Sequence, residues 1–339
     1  MNAVPLRKDT FMPVAPANSS EAGDTLAENA AVKDDDSMTT PARLPFGMTL
    51  PNAGAAFEAA WPPLVGIGGF LMLWALMAPL VQTSLGALPG PGDVWTAFLG
   101  LIDEYRAARV AASESVAAGY AFTGPPTFVD QIITSLETVA AGFGLATLAA
   151  VPLGLVAGMS KRVNAAINPL VQVMRPVSPL AWLPIVTMVV SASMVSDDPS
   201  LPKAFVISAV VVMLCSLWPT LINTAIGTAS IDKDLIAVGR VLRLGWFARL
   251  TRLVLPSALP YIFTGMRLSL GTGWMVLIAA EMLSQNPGLG KFVWDEFQNG
   301  SEKSLARIMV AVVVIGLIGF ALDRVMMAMQ AFVSRNRNV

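Results

Sequence analysis

Three ionisable side chains, Arg175, Arg267 and Glu281, lie within or beside long apolar stretches of this 339-residue sequence. A charged side chain is costly inside a bilayer, so such residues are candidates for function by default. An arginine there attracts anions, and Arg175 has the stronger case because the adjacent Pro176 breaks a helix and frees backbone groups. The alternatives are that Arg267 reaches the lipid headgroups and that Glu281 bonds a neighbouring helix.

The residue types needed for much enzyme chemistry are missing or isolated. The sequence has no histidine and one cysteine, Cys215, which excludes internal disulfides, Cys/His zinc sites and histidine acid–base catalysis. No glycine pattern completes a phosphate-binding loop, so we do not expect the chain to hydrolyse ATP. We therefore expect a non-enzymatic protein with no catalytic residue, metal or cofactor, in which Cys215 is a small buried hydrophobe.

The composition predicts an all-α integral membrane protein. Hydrophobic residues make up 55% of the chain and charged residues 13%, with a mean hydropathy of +0.63. Soluble domains are about 25% charged. The net charge of -1 argues against nucleic acid as a partner. The lipid bilayer is therefore the expected surroundings of most of the chain.

Apolar stretches near the roughly 20 residues needed to cross a bilayer predict six spans. They cover 64–84, 138–158, 170–191, 204–224, 261–283 and 308–329. Basic residues cluster after the second, fourth and sixth spans, which places these loops and both termini in the cytoplasm. We expect a disordered cytoplasmic tail over 1–60, a transmembrane domain over 61–333 and a cytoplasmic C-terminus over 334–339.

Prolines and glycines mark how the predicted spans pack. Pro176, Pro179 and Pro184 interrupt the third span, and lipid tolerates a broken helix only where protein or a water-filled cavity satisfies the freed carbonyls. That span is predicted to line a cavity, the alternative being a bend for packing alone. The glycines of spans two and five are predicted to be close-packing positions: Gly142, Gly144, Gly154, Gly158, Gly265, Gly271 and Gly273.

A charged insert over 230–256 separates spans four and five and predicts a helix. Ser230 or Asp232 is suited to cap it, and Asp234 matches the positive end of its dipole. Arg240 and Arg243 match the negative end.

The insert is predicted to divide at Gly245. An unbroken helix would point the pairs Arg240/Arg243 and Arg249/Arg252 to different sides, because nine residues turn about 900 degrees. After the turn we expect a second helix whose apolar side chains enter the membrane: Trp246, Phe247, Leu250, Leu253 and Val254. The alternative is an ordinary amphipathic loop with arginines that reach the headgroups.

At this insert the sequence resembles the permease subunits of binding-protein-dependent ABC importers. Their signature reads Glu-Ala-Ala, three residues, Gly, nine residues, Ile, one residue and Leu-Pro. Anchored on Leu255 and Pro256, the Ile position falls on Leu253 and the Gly position on Arg243. The second half matches and the first departs, since the Glu-Ala-Ala positions hold Ala237, Val238 and Gly239.

Two further passages resemble the nitrate, sulfonate and bicarbonate group of these permeases. One is VMRPVSPLAWLPIVTM over 173–188. The other, over 261–301, is most similar to nitrate importer permeases. The resemblance extends over about 64–333 and implies a type I importer permease fold with about six transmembrane helices.

The resemblance also implies the partners and the substrate. It implies a homodimer in the bacterial inner membrane, separate ATP-binding subunits, an external substrate-binding protein, and import of a small anion, nitrate or nitrite first. Bicarbonate, cyanate and alkanesulfonates such as taurine remain alternatives, and a secondary transporter is the alternative of another class. The coupling to the ATPase falls on one set of residues: Asp234, Ala237, Val238, Gly239, Arg240, Arg243 and Gly245.

Overall fold

The computed structural model describes residues 53–83, 86–121, 124–194 and 201–335. Most of the predicted N-terminal tail and the last four residues of the predicted C-terminus lie outside these ranges. Within them the chain forms eleven α-helices and one short hairpin. By its internal contacts the chain divides after Ile67, and the helical bundle belongs to the second unit, which begins at Gly68.

The elements follow one another along the chain with short connections. The helices before the insert are α1 (Ala53–Met77), α2 (Pro91–Ala117), α3 (Phe128–Met159), α4 (Lys161–Met174), α5 (Pro179–Ser193) and α6 (Lys203–Ala229). Strands β1 (Gln82–Thr83) and β2 (Gly86–Ala87) form an antiparallel hairpin between α1 and α2. The remaining helices are α7 (Lys233–Val241), α8 (Trp246–Arg249), α9 (Leu255–Ser284), α10 (Leu289–Asn299) and α11 (Glu302–Arg335), with a π-helical turn, Leu250–Val254, between α8 and α9.

Five helical segments are long and apolar enough to span a membrane: Trp61–Leu80, Phe128–Met159, Lys203–Ala229, Trp246–Ser284 and Lys303–Val333. Helices α4 and α5 together are also long and apolar enough, and they make a sixth span if this pair, bent by 101° at its junction, is counted as one. The third span predicted over 170–191 is thus divided where its prolines were expected to interrupt it, and the first of its two helices begins earlier, at Lys161. Pro176 and Pro179 end one helix and start the next, as their missing N–H groups require.

Helix α6 is the centre of the bundle, with α3 on one side and α9 on the other. Close packing on α3 depends on glycine, because a methyl group at Gly154 would come within 2.6 Å of the Thr224 Cβ atom. The predicted packing role is also correct for four others: Gly142, Gly158, Gly265 and Gly273. It is wrong for Gly144 and Gly271, which have open space where a side chain would stand.

The direction of the helices follows from these contacts. Gly142 and Gly158 of α3 face the beginning and the end of α6, so the two helices run parallel. Helix α9 runs antiparallel to α6, since the Ser208 and Ser284 hydroxyls lie 2.8 Å apart. One end of the bundle therefore carries α10, and the opposite end, here named the coupling end, carries α7.

A hydroxyl from α9 enters the backbone ladder of α6 at Pro219. The Ser269 Oγ accepts a hydrogen bond from the Thr220 N–H at 3.0 Å and donates to the Ser216 carbonyl at 2.5 Å. It thus replaces the direct helical bond between residues 220 and 216. A side chain inserted in this way, next to a proline, is a recognised cause of helix bending.

Charged side chains join the helices at the α10 end. Arg307 of α11 pairs with Glu104 of α2 at 2.6 Å and with Glu296 of α10 at 3.0 Å. Arg109 of α2 pairs with Asp130 of α3 at 2.5 Å. Helix α2 is thus attached to two spans by ion pairs.

Candidate translocation pathway and coupling surface

Arg175 lies at the break between α4 and α5, where it is the C-terminal cap of α4. It contributes to a cleft of about 190 Å³ whose other walls come from α5, α6 and α9. The remaining lining residues are Val177, Pro179, Trp182, Cys215, Trp218, Thr272, Met275 and Val276. Cys215 and Trp218 lie near the middle of α6, so the cleft is at the middle of the bundle.

A second cleft, of about 550 Å³, shares Arg175 with the first. Its walls are α4 and the Ile222 side of α6, which is nearer the coupling end. The other lining residues are Asn168, Val171, Gln172 and Pro176. Arg175 therefore borders two open clefts at successive depths. That they form part of a water-filled cavity stays a prediction.

Arg267 has a carboxylate partner that the sequence reasoning missed. Its guanidinium forms a two-pronged ion pair with Asp323 of α11, in which one N–H to oxygen distance is 3.0 Å. Asp323 also contacts the neighbouring Arg324 at 3.2 Å. The structure does not favour the expectation that Arg267 reaches the headgroups alone. The available signal was Asp323 itself, a carboxylate within the last apolar run, although the adjacent Arg324 already offers it a basic partner.

Glu281 is fully buried and joins three elements at the α10 end. Its carboxylate accepts the Ser135 hydroxyl at 2.8 Å and the Gly290 N–H at 3.0 Å. The Ser135 oxygen in turn accepts the Leu289 N–H at 2.8 Å. The chain at Gly288 passes so close to the carboxylate that no Cβ would fit. This geometry is the helix–helix hydrogen bond considered as the alternative for Glu281.

The insert folds as two helices with a turn between them. Asp232 caps α7, because its carboxylate accepts the Asp234 N–H at 3.0 Å. Ser230 instead donates to the Gly227 carbonyl of the preceding helix at 3.1 Å. The turn begins after Val241, earlier than predicted.

The backbone reversal in that turn is at Arg243, whose φ is 49°. Gly245 has a φ of -60° and starts α8, so it does not supply the unusual conformation. A positive φ is accessible to glycine at little cost and strained for other residues. The importer signature has its glycine at this position, which explains physically why that residue type suits the turn.

Helix α7 packs on the π-helical turn through Gly239. A Cβ at the buried Gly239 would lie 2.7 Å from the Leu253 Cδ1 atom. The π-helical turn is wider than a turn of a regular α-helix. Pro256 explains this, because it lacks an N–H and its ring would clash with the Arg252 carbonyl in a regular α-helix. Val254 is buried against Leu155 and therefore faces protein. The prediction that it enters the lipid was wrong.

The outer surface of the insert is largely apolar and exposed. Ala237 and Val238 of α7 are exposed, as are Asp234 and Arg243. The backbone of Arg240 is described, while its side chain lies outside the described part. The large apolar side chains on this surface are Val238, Val241, Leu242, Trp246 and Phe247. Such a patch at a loop is typical of a surface that a partner covers.

The sequence profile described as "Binding-protein-dependent transport system inner membrane component" matches residues 150–338, more than half of the chain. The bicarbonate transport system permease protein CmpB of Synechococcus elongatus is 36% identical over 275 residues, covering 81% of this chain and 89% of that protein. The nitrate import permease protein NrtB of the same organism is 39% identical over 194 residues, covering 57% and 66%.

The structural comparison gives a match of lower sequence identity. A chain of the MetNI methionine ABC transporter, in inward-facing conformations, has 16% identity and a TM-score of 0.48, covering 59% of this chain and 95% of that one. The sequence matches and the helical bundle are sufficient for the assignment. The chain belongs to the family of binding-protein-dependent transport system inner membrane components and is a multi-pass ABC importer permease.

Proposed function

We propose that the chain forms the pathway for a small planar oxyanion, nitrate or nitrite first, across the bacterial inner membrane. The observation that carries the proposal is Arg175, an exposed cation at a helix break between two clefts, neither of which has an Asp or Glu in its lining. An anion in the pathway would supply the missing negative charge. The similarity to NrtB, a nitrate import permease, supports nitrate.

Bicarbonate is the second candidate substrate. The alignment with the bicarbonate permease CmpB covers more of the chain than the alignment with NrtB, 81% against 57%. Nitrate and bicarbonate share a trigonal arrangement of three oxygens and a single negative charge. Arg175 is suited to either, since a guanidinium donates two parallel hydrogen bonds to a pair of oxygens.

Uptake in cells tests the substrate. A strain with the gene deleted and restored would be given nitrate, nitrite, bicarbonate, cyanate or taurine in isotopically labelled form. Under the proposal, restoration recovers nitrate uptake in competition with nitrite. Recovery of bicarbonate alone would favour the second candidate. Recovery of cyanate or taurine alone, or uptake that needs an ion gradient and no ATP, would overturn the proposal.

The family works with ATP-binding subunits and a substrate-binding protein. We place the contact with the ATPase on α7 and its turn, through Asp234, Ala237, Val238, Gly239, Arg240, Arg243 and Gly245. The exposed apolar patch of the insert supports this, because an interface core is rich in such side chains. Gly239 packs on Leu253 of the π-helical turn, so movement of α7 would reach α9 through the turn that leads into it.

Charge reversal tests the docking surface. The double variant Arg240→Glu, Arg243→Glu should insert in the membrane normally and lose the coupling between ATP hydrolysis and uptake. The matched control is Lys161→Glu with Arg162→Glu, which reverses two charges at the start of α4, outside the insert. Normal substrate-stimulated hydrolysis in the first variant would contradict the docking assignment.

A second copy of the chain is proposed to complete the pathway, with both termini and α7 in the cytoplasm. One face of α9 supports the pairing, because it remains exposed beside Arg175 and Arg267. Its exposed residues repeat at helical spacing: Thr264, Leu268, Gly271, Thr272 and Met275. Cross-linking between copies through Thr264→Cys in a Cys215→Ser background tests this. Absence of any dimer in the assembled transporter would refute the homodimer.

A further inference from the structure

The cleft shared by Arg175, Trp182 and Trp218 lies where charge is most costly. Its α6 wall, at Cys215 and Trp218, is in the middle of a span of 27 residues. A helix of that length is about 40 Å long, so the cleft is some 20 Å from either end. An arginine held there needs water, a counter-charge or both.

The protein supplies no counter-charge to Arg175 within the part of the chain that the structure describes. The contrast with Arg267 is direct, since that residue has Asp323. No Asp or Glu lines either of the clefts that Arg175 borders. A pathway with a fixed carboxylate would repel an anion, whereas one with an unpaired guanidinium attracts it.

The walls of the cleft suit a small, flat anion. Trp182, Trp218 and Thr272 line the cleft together with Arg175, which is exposed, and the volume is about 190 Å³. A water molecule takes about 30 Å³ in the liquid, so the space suits a four-atom anion with a few waters. The face of an indole ring is negative and its edge carries a donor N–H, so an anion in this cleft would be bound by the edges of Trp182 and Trp218 together with Arg175.

We propose that this cleft is an anion-binding station within the membrane, selective for small planar oxyanions, in which Arg175 binds the ion between the external binding protein and the coupling end. The inference rests on the proposed function and adds a site along the pathway at which the substrate binds. The shared position of Arg175 suggests a route, since an ion in the first cleft passes this residue to reach the second, larger one.

The sole cysteine of the chain gives a direct test, because Cys215 lines the same cleft. The assembled transporter in lipid nanodiscs would be treated with a small neutral alkylating reagent at fixed pH. The rate at Cys215 would be read by mass spectrometry of its peptide. We expect sodium nitrate at millimolar concentration to slow this rate severalfold, and taurine at the same concentration to leave it unchanged.

Variants separate a site from a general effect of salt. Arg175→Ala should remove the protection by nitrate, and Arg175→Lys should keep part of it. Arg162→Ala, an exposed arginine at the start of α4, is the matched control and should behave as the unmodified chain. Equal protection in Arg175→Ala, or equal protection by taurine, would overturn the proposal.

Two other results would also overturn the station. One is no protection by nitrate or bicarbonate. The other is a Cys215 that never reacts, since a thiol in a water-filled cleft must be reachable. Uptake by the same preparation, reconstituted with its binding protein, distinguishes failure of the binding station from failure of the proposed function. Nitrate uptake without protection removes the station and leaves the proposed function intact, whereas absence of nitrate uptake removes the substrate assignment itself.

Discussion

Arg175 and Arg267 are two arginines within the spans, and the structure treats them in opposite ways. Arg267 meets Asp323 across the contact between α9 and α11, so its charge is neutralised by the fold. Arg175 lies at a helix break beside two clefts, with no acidic residue in either lining. The difference teaches that an intramembrane charge indicates function when the fold leaves it unpaired, and structure when the fold pairs it.

The largest expected effect is at Arg175. Arg175→Glu should abolish anion uptake, and Arg175→Ala should lower it about 10- to 100-fold, because a hydrogen bond to a charged group contributes about 1.5–3 kcal/mol. Assembly with the ATPase should be unchanged. Initial uptake rates at saturating binding protein measure this, with Arg162→Ala as the control. Unchanged uptake in Arg175→Ala would remove the residue from the pathway.

Glu281 extends the comparison to a buried carboxylate whose hydrogen-bond partners are supplied by other elements of the fold. Glu281→Ala should destabilise the permease by about 2 kcal/mol, since it leaves the buried Ser135 hydroxyl and Gly290 N–H without their partner. Glu281→Gln keeps the shape and should cost less. Thermal unfolding of the purified complex measures both. A stable Glu281→Ala protein that no longer transports would instead place Glu281 in the pathway.

A smaller effect is expected at the paired arginine. Asp323→Ala should lower the yield of folded permease, because Arg267 then keeps its charge without a partner. The double variant Arg267→Ala, Asp323→Ala should recover much of that yield and retain most of the uptake. A double variant as inactive as Arg175→Glu would show that the ion pair acts in transport and would break the comparison.

The smallest effect is in the insert, where Arg243 adopts a conformation suited to glycine. Arg243→Gly should relieve strain of about 1 kcal/mol and preserve coupling, if the positive φ is what the turn requires. Arg243→Val should disturb the turn, because a β-branched residue resists that conformation. ATP hydrolysis per anion transported is the measurement. Loss of coupling in Arg243→Gly would assign the role to the guanidinium instead.

Much of the fold could be predicted, because hydropathy, proline and charge act locally. The six-span pattern, the break near Pro176 and the two-part insert all followed from neighbouring residues. The details that failed depend on packing. Gly144 and Gly271 resemble the other glycines in sequence, yet they face open space. The turn in the insert reverses at Arg243, which adopts a positive φ although that conformation favours glycine.

The sequence by itself determined the class of protein, since a helix that spans a bilayer must be long and apolar and a charge within it is energetically costly. It also marked Arg175, Arg267 and Glu281 as unusual. Only the tertiary structure decided what each contacts, because the partner of a side chain can be far away along the chain. Asp323 lies 56 residues from Arg267, and Ser135 lies 146 from Glu281. Arg175 lies beside a cleft instead, because residues from three other helices line that cleft and none of them is a carboxylate.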